Sequence, residues 1–295
     1  MAEIRSAPKR SAVLPLLRAG LRALAVAAPP LAVRAAAALF RTPPRHKTSE
    51  TERQLLASGR SGRLRAGATH IATWTWGEGP TVLLVHGWGS RGARLGSFVE
   101  PLVSAGYSVV TFDSPAHGDS SGRLSSLPQF IEALLTVARS REAIHGVVAH
   151  SMGGAAAALA MARGLEAEGA VLLAPAANPG TYTRVFAQML GIPPNVRERM
   201  ERRFETQFGF RFEEFDVLRA VSSFSTPLLV FHDREDREVA WTDGDAIAKS
   251  WPGAELVTTQ GLGHIRIVHD PDIVRRAVAF LDSRAGAGRQ AGQRA

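Results

Sequence analysis

Short apolar runs recur through the middle of the chain and are separated by amphipathic stretches. The apolar runs predict buried strands, at Thr81–Val85, Ser108–Phe112, Val147–Ala149, Ala170–Leu173, Pro227–Phe231 and Glu255–Thr258, and the alternating Thr69–Trp76 predicts one more. Helices are predicted between them, at Leu95–Ala105, Pro128–Arg139, Gly153–Arg163, Gly244–Ser250 and Ile273–Leu281. Strands that alternate with helices indicate an α/β protein, with a mostly parallel sheet covered by helices on both faces.

Residues 176–224 interrupt this alternation of strands and helices. They contain no strand pattern, and apolar residues recur at every fourth position, with Arg and Glu between them, at Val196, Met200, Phe204 and Phe208. This spacing predicts a charged amphipathic helix with one apolar stripe. We therefore expect a small helical cap insertion over an edge of the sheet, with Phe204 and Phe208 in its own core.

The N-terminal segment at 13–40 is rich in Ala, Leu and Val, and its apolar positions have helical spacing. Pro29 and Pro30 divide it into two parts. Its longest uncharged stretch, Ala23–Val33, has 11 residues, whereas a bilayer span needs about 20. Three interpretations stay open: helices packed on the domain or a loosely ordered leader, a basic amphipathic helix on anionic lipid, and an export signal.

The chain has 295 residues and a formal net charge of +8, and this charge lies at its two ends. Residues 1–47 contain nine Lys or Arg against one Glu, and residues 284–295 contain three Arg and no acidic residue. The remaining residues 48–283 are therefore slightly acidic, at −3. This distribution does not indicate nucleic-acid binding. The chain has no cysteine, so disulfides, thiolate metal ligands and a cysteine nucleophile are excluded.

The strongest chemical signal is a serine between a predicted strand and a predicted helix. Ser151 follows the apolar run ending at Ala149, and small residues, Ala149 and Gly153, stand two positions to either side. A nucleophile on a sharp strand-to-helix turn needs small residues there, because neighbouring backbone approaches closely. The alternative is an ordinary serine N-cap of the following helix.

A second strand end carries His86-Gly87-Trp88. The amides of Trp88 and Met152 are candidates for an oxyanion hole, although His-Gly alone is also a common tight turn. The loop that follows the next strand contains Asp113 and His117 among turn-forming residues, and we expect both to fix that loop.

A serine nucleophile requires a base and an orienting carboxylate. His264 follows the last predicted strand within Gly261-Leu262-Gly263-His264 and is the candidate base, whereas His269 stands at the start of a helix. The strand Pro227–Phe231 is followed by a charged loop with two candidate acids, Asp233 and Asp236.

In this order, these pieces resemble the α/β-hydrolase fold family, and bacterial esterase-like members in particular, from about Trp74 to Leu281. The resemblance implies that fold, with Asp236 at the acid position of the family pattern Gly-x-x-Asp-x-x-Val-Pro. This chain departs from the pattern at Asp233 and Ala240, and it has Ala149 in place of the first glycine of Gly-x-Ser-x-Gly.

The resemblance also implies a serine hydrolase that acts on an ester or related acyl compound without a metal or cofactor. Ser151 would be the nucleophile, His264 the base and Asp236 its partner, with the amides of Trp88 and Met152 in the oxyanion hole. Acyl transfer, thioester hydrolysis and perhydrolysis use the same groups and stay open, as does a non-enzymatic membrane-associated module. Ser151 argues against epoxide hydrolases and haloalkane dehalogenases, which use Asp as nucleophile.

We therefore expect a basic leader at 1–47, a hydrolase domain at 48–283 with its cap at about 176–224, and a flexible tail at 284–295. The expected partner is a small acyl substrate, with peripheral contact of 1–47 with an anionic membrane as a further hypothesis and no nucleic acid. A cytoplasmic or membrane-peripheral location is expected, and the oligomeric state stays open. Several apolar side chains are candidates for an acyl pocket or for core: Trp88, Met152, Phe186, Met189, Leu190, Phe204 and Phe208.

Overall fold

The computed structural model describes residues 13–178 and 180–292, and their strands form one eight-stranded sheet. The strands are β1 (Arg60–Ala66), β2 (Thr69–Trp76), β3 (Thr81–Val85), β4 (Ser108–Phe112), β5 (Ile144–His150), β6 (Gly169–Leu173), β7 (Leu228–Asp233) and β8 (Glu255–Thr259). The spatial order is β1-β2-β4-β3-β5-β6-β7-β8. β1 and β2 run antiparallel to their neighbours, and the other six strands are parallel. The predicted α/β class is confirmed.

Twelve α-helices occur in the described ranges. They are α1 (Val13–Ala27), α2 (Pro29–Phe40), α3 (Glu50–Ser58), α4 (Val99–Ser104), α5 (Leu127–Arg139), α6 (Met152–Met161), α7 (Thr181–Leu190), α8 (Pro194–Phe208), α9 (Val217–Val221), α10 (Trp241–Ser250), α11 (Gly263–Arg266) and α12 (Pro271–Gly292). Two short 3₁₀ segments lie at Gly92–Phe98 and Phe212–Phe215.

The described chain divides into two compact units. The sheet unit comprises 41–178 and 213–292, and the helical unit comprises 13–40 and 180–212. The five inner parallel strands β3, β4, β5, β6 and β7 have only buried positions, because helices cover the sheet. β8, at one edge of the sheet, has no buried position.

Three features of the sheet unit differ from the sequence-based prediction. β1 was not predicted, because its sequence Arg-Ser-Gly-Arg-Leu-Arg-Ala is polar and lies largely exposed at the edge of the sheet. The helix predicted at Leu95–Ala105 begins as the 3₁₀ segment Gly92–Phe98. α12 continues to Gly292, past Leu281 and into the predicted flexible tail, because no proline follows Pro271 to end it. Residues 293–295 lie outside the described residues.

The helical unit joins two segments that are distant in sequence. α1 and α2, from the predicted leader, share an apolar core with α7 and α8, from the predicted insertion: Leu21, Ala32, Val33, Ala36, Ala37, Ala187, Leu190, Ile192, Val196, Met200 and Phe204. The predicted stripe on α8 therefore faces α2 and its neighbours. Residues 1–12 of the leader lie outside the described residues. None of the described helices is long and apolar enough to span a membrane.

Aromatic rings fix part of this core. Phe204 is 4% exposed, and its ring stacks on Phe40 at a centroid distance of 5.8 Å. Phe186 meets Phe40 edge-on, at a centroid distance of 5.1 Å. Phe208 packs against the same cluster while staying half-buried. Phe204 and Phe208 thus pack in an apolar core, as the sequence predicts, but the insertion shares this core with residues 13–40.

We expect Phe204→Ala to lower the free energy of unfolding of the helical unit by about 3–5 kcal/mol, because it removes a buried ring and leaves a cavity. Urea denaturation followed by far-UV circular dichroism measures this loss. Val185→Ala, at a 57% exposed position of α7, is the matched control and should change stability by less than about 0.5 kcal/mol. Equal effects of the two substitutions would contradict the shared core.

Candidate active site

Ser151 stands at the turn between β5 and α6. Its backbone has φ +56° and ψ −125°, a conformation that a non-glycine residue adopts only when its surroundings enforce it. Its amide N–H donates to the carbonyl of Leu173 at 2.9 Å, which ties the turn to the end of β6. The Ser151 hydroxyl does not cap α6. The structure therefore matches the strained strand-to-helix turn and not the ordinary N-cap.

Close backbone contacts explain the small residues around this serine. A Cβ at Gly153 would lie 2.4 Å from the carbonyl oxygen of His86 and 2.7 Å from that of Val85, so only glycine fits there. At the other position, Ala149 is fully buried between β3 and β6. The methyl group that replaces the first glycine of the family pattern is thus accommodated within the sheet.

His264 lies at the start of α11, directly after the glycine-containing segment that follows β8, and its side chain reaches Ser151. Its Nε2 lies 3.0 Å from Ser151 Oγ, and its Nδ1 lies 2.7 Å from Asp236 Oδ2. Gly261 and Gly263 have φ of +84° and +63°, so this loop requires residues that tolerate left-handed backbone. The imidazole is 7% exposed. The structure brings together the three side chains that the sequence proposes.

Asp236 follows β7 and is held by its own loop. Its Oδ1 accepts the amides of Glu238 and Val239, at 2.8 and 2.9 Å, while Oδ2 faces His264. Burial favours a higher pKa for Asp236, but hydrogen bonds from His232, His264 and the Val239 amide outweigh it and hold the pKa well below its usual value. The carboxylate therefore stays ionised at neutral pH.

Asp233, the other candidate acid, does not contact His264. Its Oδ1 accepts the amide of Glu235, and its Oδ2 accepts the Thr259 hydroxyl and the Leu262 amide, at 2.8 and 2.9 Å. Asp233 therefore connects the loop after β7 with the loop after β8. The other candidate base, His269, is hydrogen-bonded through Nδ1 to the hydroxyl of Ser97, at 2.9 Å.

The turn that contains Trp88 lies directly beside the serine. A Cβ at Gly87 would come within 2.9 Å of Ser151 Cβ and 3.4 Å of Ser151 Oγ, so this turn passes against the hydroxyl. In the part of the chain that the structure describes, the amides of Trp88 and Met152 donate to no protein acceptor. Both N–H groups are thus available to a ligand atom bound near Ser151.

Two buried histidines hold the turn with Trp88 in place. His86 donates from Nδ1 to the Gly87 carbonyl and accepts the Ser114 amide at Nε2. His117 donates from Nδ1 to the Pro115 carbonyl and accepts the Gly89 amide at Nε2. Burial lowers the pKa of His117 to about 4 and places that of His86 well below its usual value, so both rings are neutral.

The predicted loop-fixing roles of Asp113 and His117 are confirmed. Asp113 Oδ1 accepts the Gly92 amide at 2.7 Å, and Oδ2 accepts the Asp119 amide at 2.8 Å. Together with His117, this carboxylate ties the loop after β4 to the segment after β3.

The sequence analysis missed two further histidines at the site. His150 Nε2 donates to the carbonyl of His264 at 2.9 Å, and the two rings lie 4.6 Å apart. Burial, followed by the nearby His264, lowers the pKa of His150 to about 3. His232 Nε2 lies 3.1 Å from the Val239 carbonyl and 3.4 Å from Asp236 Oδ2. Their positions in the sequence could have indicated them, because His150 directly precedes Ser151 and His232 directly precedes Asp233.

The described residues contain no group of three or more His, Asp or Glu side chains that could bind a metal ion. The groups that meet at this site are the Ser151 hydroxyl, the His264 imidazole, the Asp236 carboxylate and backbone amides.

Comparisons with known proteins agree with this architecture. A solved esterase of Pyrococcus furiosus, Pf2001, superimposes with a TM-score of 0.63 at 21% identity, over 82% of this chain and 99% of that one. A bacterial membrane phospholipase A superimposes with a TM-score of 0.60 at 20% identity, over 92% of this chain and 97% of that one. At these identities the likeness shows the fold alone.

A curated protein of Pseudomonas syringae pv. syringae, named "Putative carbamate hydrolase RutD", is 36% identical over 72 residues. The match covers 24% of this chain and spans only 28% of that relative's length.

The family comparison covers most of the sheet unit. The model of the alpha/beta hydrolase family matches residues 82–277, a range that begins in β3 and ends in α12. It contains the serine turn, both loops that carry Asp236 and His264, and the turn with Trp88. The chain thus belongs to the alpha/beta hydrolase family.

Proposed function

We propose that this hydrolase cleaves an ester or related acyl compound through a covalent acyl-enzyme on Ser151. The observation that carries the proposal is the unbroken pair of hydrogen bonds from Ser151 Oγ to His264 Nε2 and from His264 Nδ1 to Asp236 Oδ2. A hydroxyl in contact with a base that is itself oriented by a carboxylate is the arrangement that activates a serine.

The first half of the proposed reaction forms the acyl-enzyme. Ser151 Oγ attacks the substrate carbonyl carbon while its proton moves to His264 Nε2, and a tetrahedral oxyanion forms. When this intermediate collapses, the bond to the leaving alkoxide breaks and His264 returns the proton to that oxygen, so an alcohol departs.

The second half consumes one water. His264 removes a proton from the water as its oxygen attacks the acyl carbon, and the proton then passes to Ser151 Oγ as the ester bond to the enzyme breaks. The products are a carboxylic acid and the free serine, so the two half-reactions balance without a metal ion or an organic cofactor.

Asp236 and the two amides stabilise the charges of this reaction. The ionised Asp236 fixes the tautomer of His264 with a proton on Nδ1 and stabilises the imidazolium that forms during attack. The amides of Trp88 and Met152 donate to the oxyanion, and one such donor contributes about 10²–10³ in rate.

The substrate class rests on the same chemistry. The names of similar proteins (an esterase, a phospholipase A and a carbamate hydrolase) all denote cleavage at a carbonyl carbon. The intact contacts of Ser151 support an active enzyme over a non-enzymatic module. We therefore propose acyl esters as substrates.

Ser151→Ala should abolish labelling by a fluorophosphonate probe and reduce hydrolysis of p-nitrophenyl esters by at least about 10⁴-fold, because the hydroxyl that forms the acyl bond is gone. In-gel fluorescence and initial rates measure the two effects. Ser97→Ala is the matched control, since it removes a serine hydroxyl that is hydrogen-bonded to a different imidazole, that of His269. Equal labelling of Ser151→Ala and wild type would refute the mechanism.

Asp236→Asn should lower kcat by about 10³–10⁴-fold while the protein stays folded, because the amide cannot stabilise the imidazolium or hold the same tautomer. Steady-state kinetics and circular dichroism provide the measurement. Glu238→Gln is the control, because Glu238 is exposed and its carboxylate lies 4.0 Å from His264 Nε2. Wild-type turnover in Asp236→Asn, together with a collapse of kcat in Asp233→Asn, would give the role to Asp233.

His150 should act as a positioning residue through its bond to the His264 carbonyl. His150→Leu should lower kcat by about tenfold or more with little change in KM, whereas His150→Gln, which offers an amide donor on a chain of similar length, should recover most of the activity. If His150→Leu and His150→Gln have the same kcat, the hydrogen-bond donor at position 150 is not the cause of the loss.

A further inference from the structure

Large exposed apolar side chains gather on the helical unit. Seven large apolar side chains among the described residues are between 37% and 86% exposed, and six of them belong to α1, α2 or α7: Leu14, Leu16, Val26, Leu31, Val185 and Met189. The seventh, Ile265, lies in α11 of the sheet unit. Single exposed apolar residues such as Ile265 are ordinary, but a group concentrated on three helices of one small unit indicates an interaction surface.

α1 is apolar on two opposite sides. Its inner side contributes Leu17, Leu21 and Leu24 to the core of the helical unit. Its outer side follows helical spacing with no charged residue: Leu16, Ala19, Ala23, Val26 and Ala27 are all exposed. A helix face that is exposed to water normally carries polar or charged residues, and the outer side of α1 has none.

The charged residues of the three helices that form this apolar surface have one sign. α1, α2 and α7 carry four arginines, Arg18, Arg22, Arg34 and Arg184, and no Asp or Glu. Arg18 and Arg22 donate to the carbonyls of Met189 and Gly191, which joins α1 to the end of α7. Arg34 is exposed one turn from Leu31, and Arg184 is exposed next to Val185.

We propose that this surface of the helical unit, formed by Leu16, Val26, Leu31, Arg34, Val185 and Met189, docks on an anionic lipid surface. Apolar side chains enter the boundary between headgroups and acyl chains, and arginines pair with lipid phosphates. A nucleic acid would leave the apolar residues uncovered. A second copy of the chain would place like charges against each other. The proposal is independent of the catalytic mechanism.

Labelling tests the surface directly, because the chain has no cysteine. Val26→Cys in the full-length protein, labelled with an environment-sensitive fluorophore, should show a blue shift and stronger emission with vesicles of phosphatidylcholine and phosphatidylglycerol at 7:3. Glu78→Cys, exposed in the turn after β2, is the control and should show no shift. Identical responses at the two sites would contradict docking through α1.

Vesicle co-sedimentation then quantifies the contributions of apolar and charged residues. The double variant Leu16→Glu/Val26→Glu should weaken binding at least about tenfold, since both positions are exposed and their change does not disturb the core. Arg34→Gln should weaken it about fivefold, while Arg63→Gln, on the exposed edge strand β1, should have no effect. Ser151→Ala should bind like wild type, which separates lipid binding from hydrolysis.

Three outcomes would overturn the proposal. The first is no sedimentation with anionic vesicles, and the second is equal binding to vesicles of phosphatidylcholine alone. The third is concentration-dependent self-association in analytical ultracentrifugation that Leu16→Glu/Val26→Glu abolishes, because a second copy would then be the occupant.

Discussion

The active site depends on one strained backbone position, Ser151 at φ +56°. This conformation turns the chain sharply from β5 into α6 and directs the hydroxyl toward His264. It costs on the order of 1–3 kcal/mol, so neighbouring contacts must enforce it. The amide of Ser151 is tied to Leu173, and Gly153 lets α6 begin against the carbonyls at the end of β3. The sheet register therefore supports the strain, since β3, β5 and β6 are adjacent parallel strands.

The two partners of Ser151, Asp236 and His264, lie in the segments that follow β7 and β8. Hydrogen bonds within and between these segments hold them in place. Asp233 ends β7 and binds Thr259 and Leu262, which holds the loop after β8 against the loop after β7. That contact sets the separation at which Asp236 and His264 can meet. The two aspartates thus have different contacts: Asp233 connects the two loops, and Asp236 faces His264. Polar groups that are buried and fully paired in this way restrict a site to a single geometry.

Much of this could be predicted from the sequence, because each strand of the parallel core is a short apolar run and Ser151 stands in a distinctive local pattern. The edge strand β1 could not, since it is polar and is defined by its pairing with β2. Likewise, loop sequence alone could not separate Asp236 from Asp233, and only the family pattern favoured Asp236, the residue whose carboxylate faces His264 in the structure. The role of His150 depends on its contact with the carbonyl of His264, 114 positions away. Hydrogen bonds between loops that are far apart in the chain leave no pattern in the local sequence. The sequence therefore identifies candidate residues but not the contacts that they make.

The same limit explains why residues 13–40 and the insertion look like separate segments in the sequence. Leu17, Leu21 and Leu24 have helical spacing, but spacing does not say which surface they cover. In the structure they pack against the helices of residues 180–212, and the apolar stripe of α8 is buried in this contact. The core accounts for one side of α1 only. Residues 1–47, which carry most of the basic charge of the sequence, also carry this remaining apolar side, whereas the proposed catalytic groups lie within the slightly acidic residues 48–283.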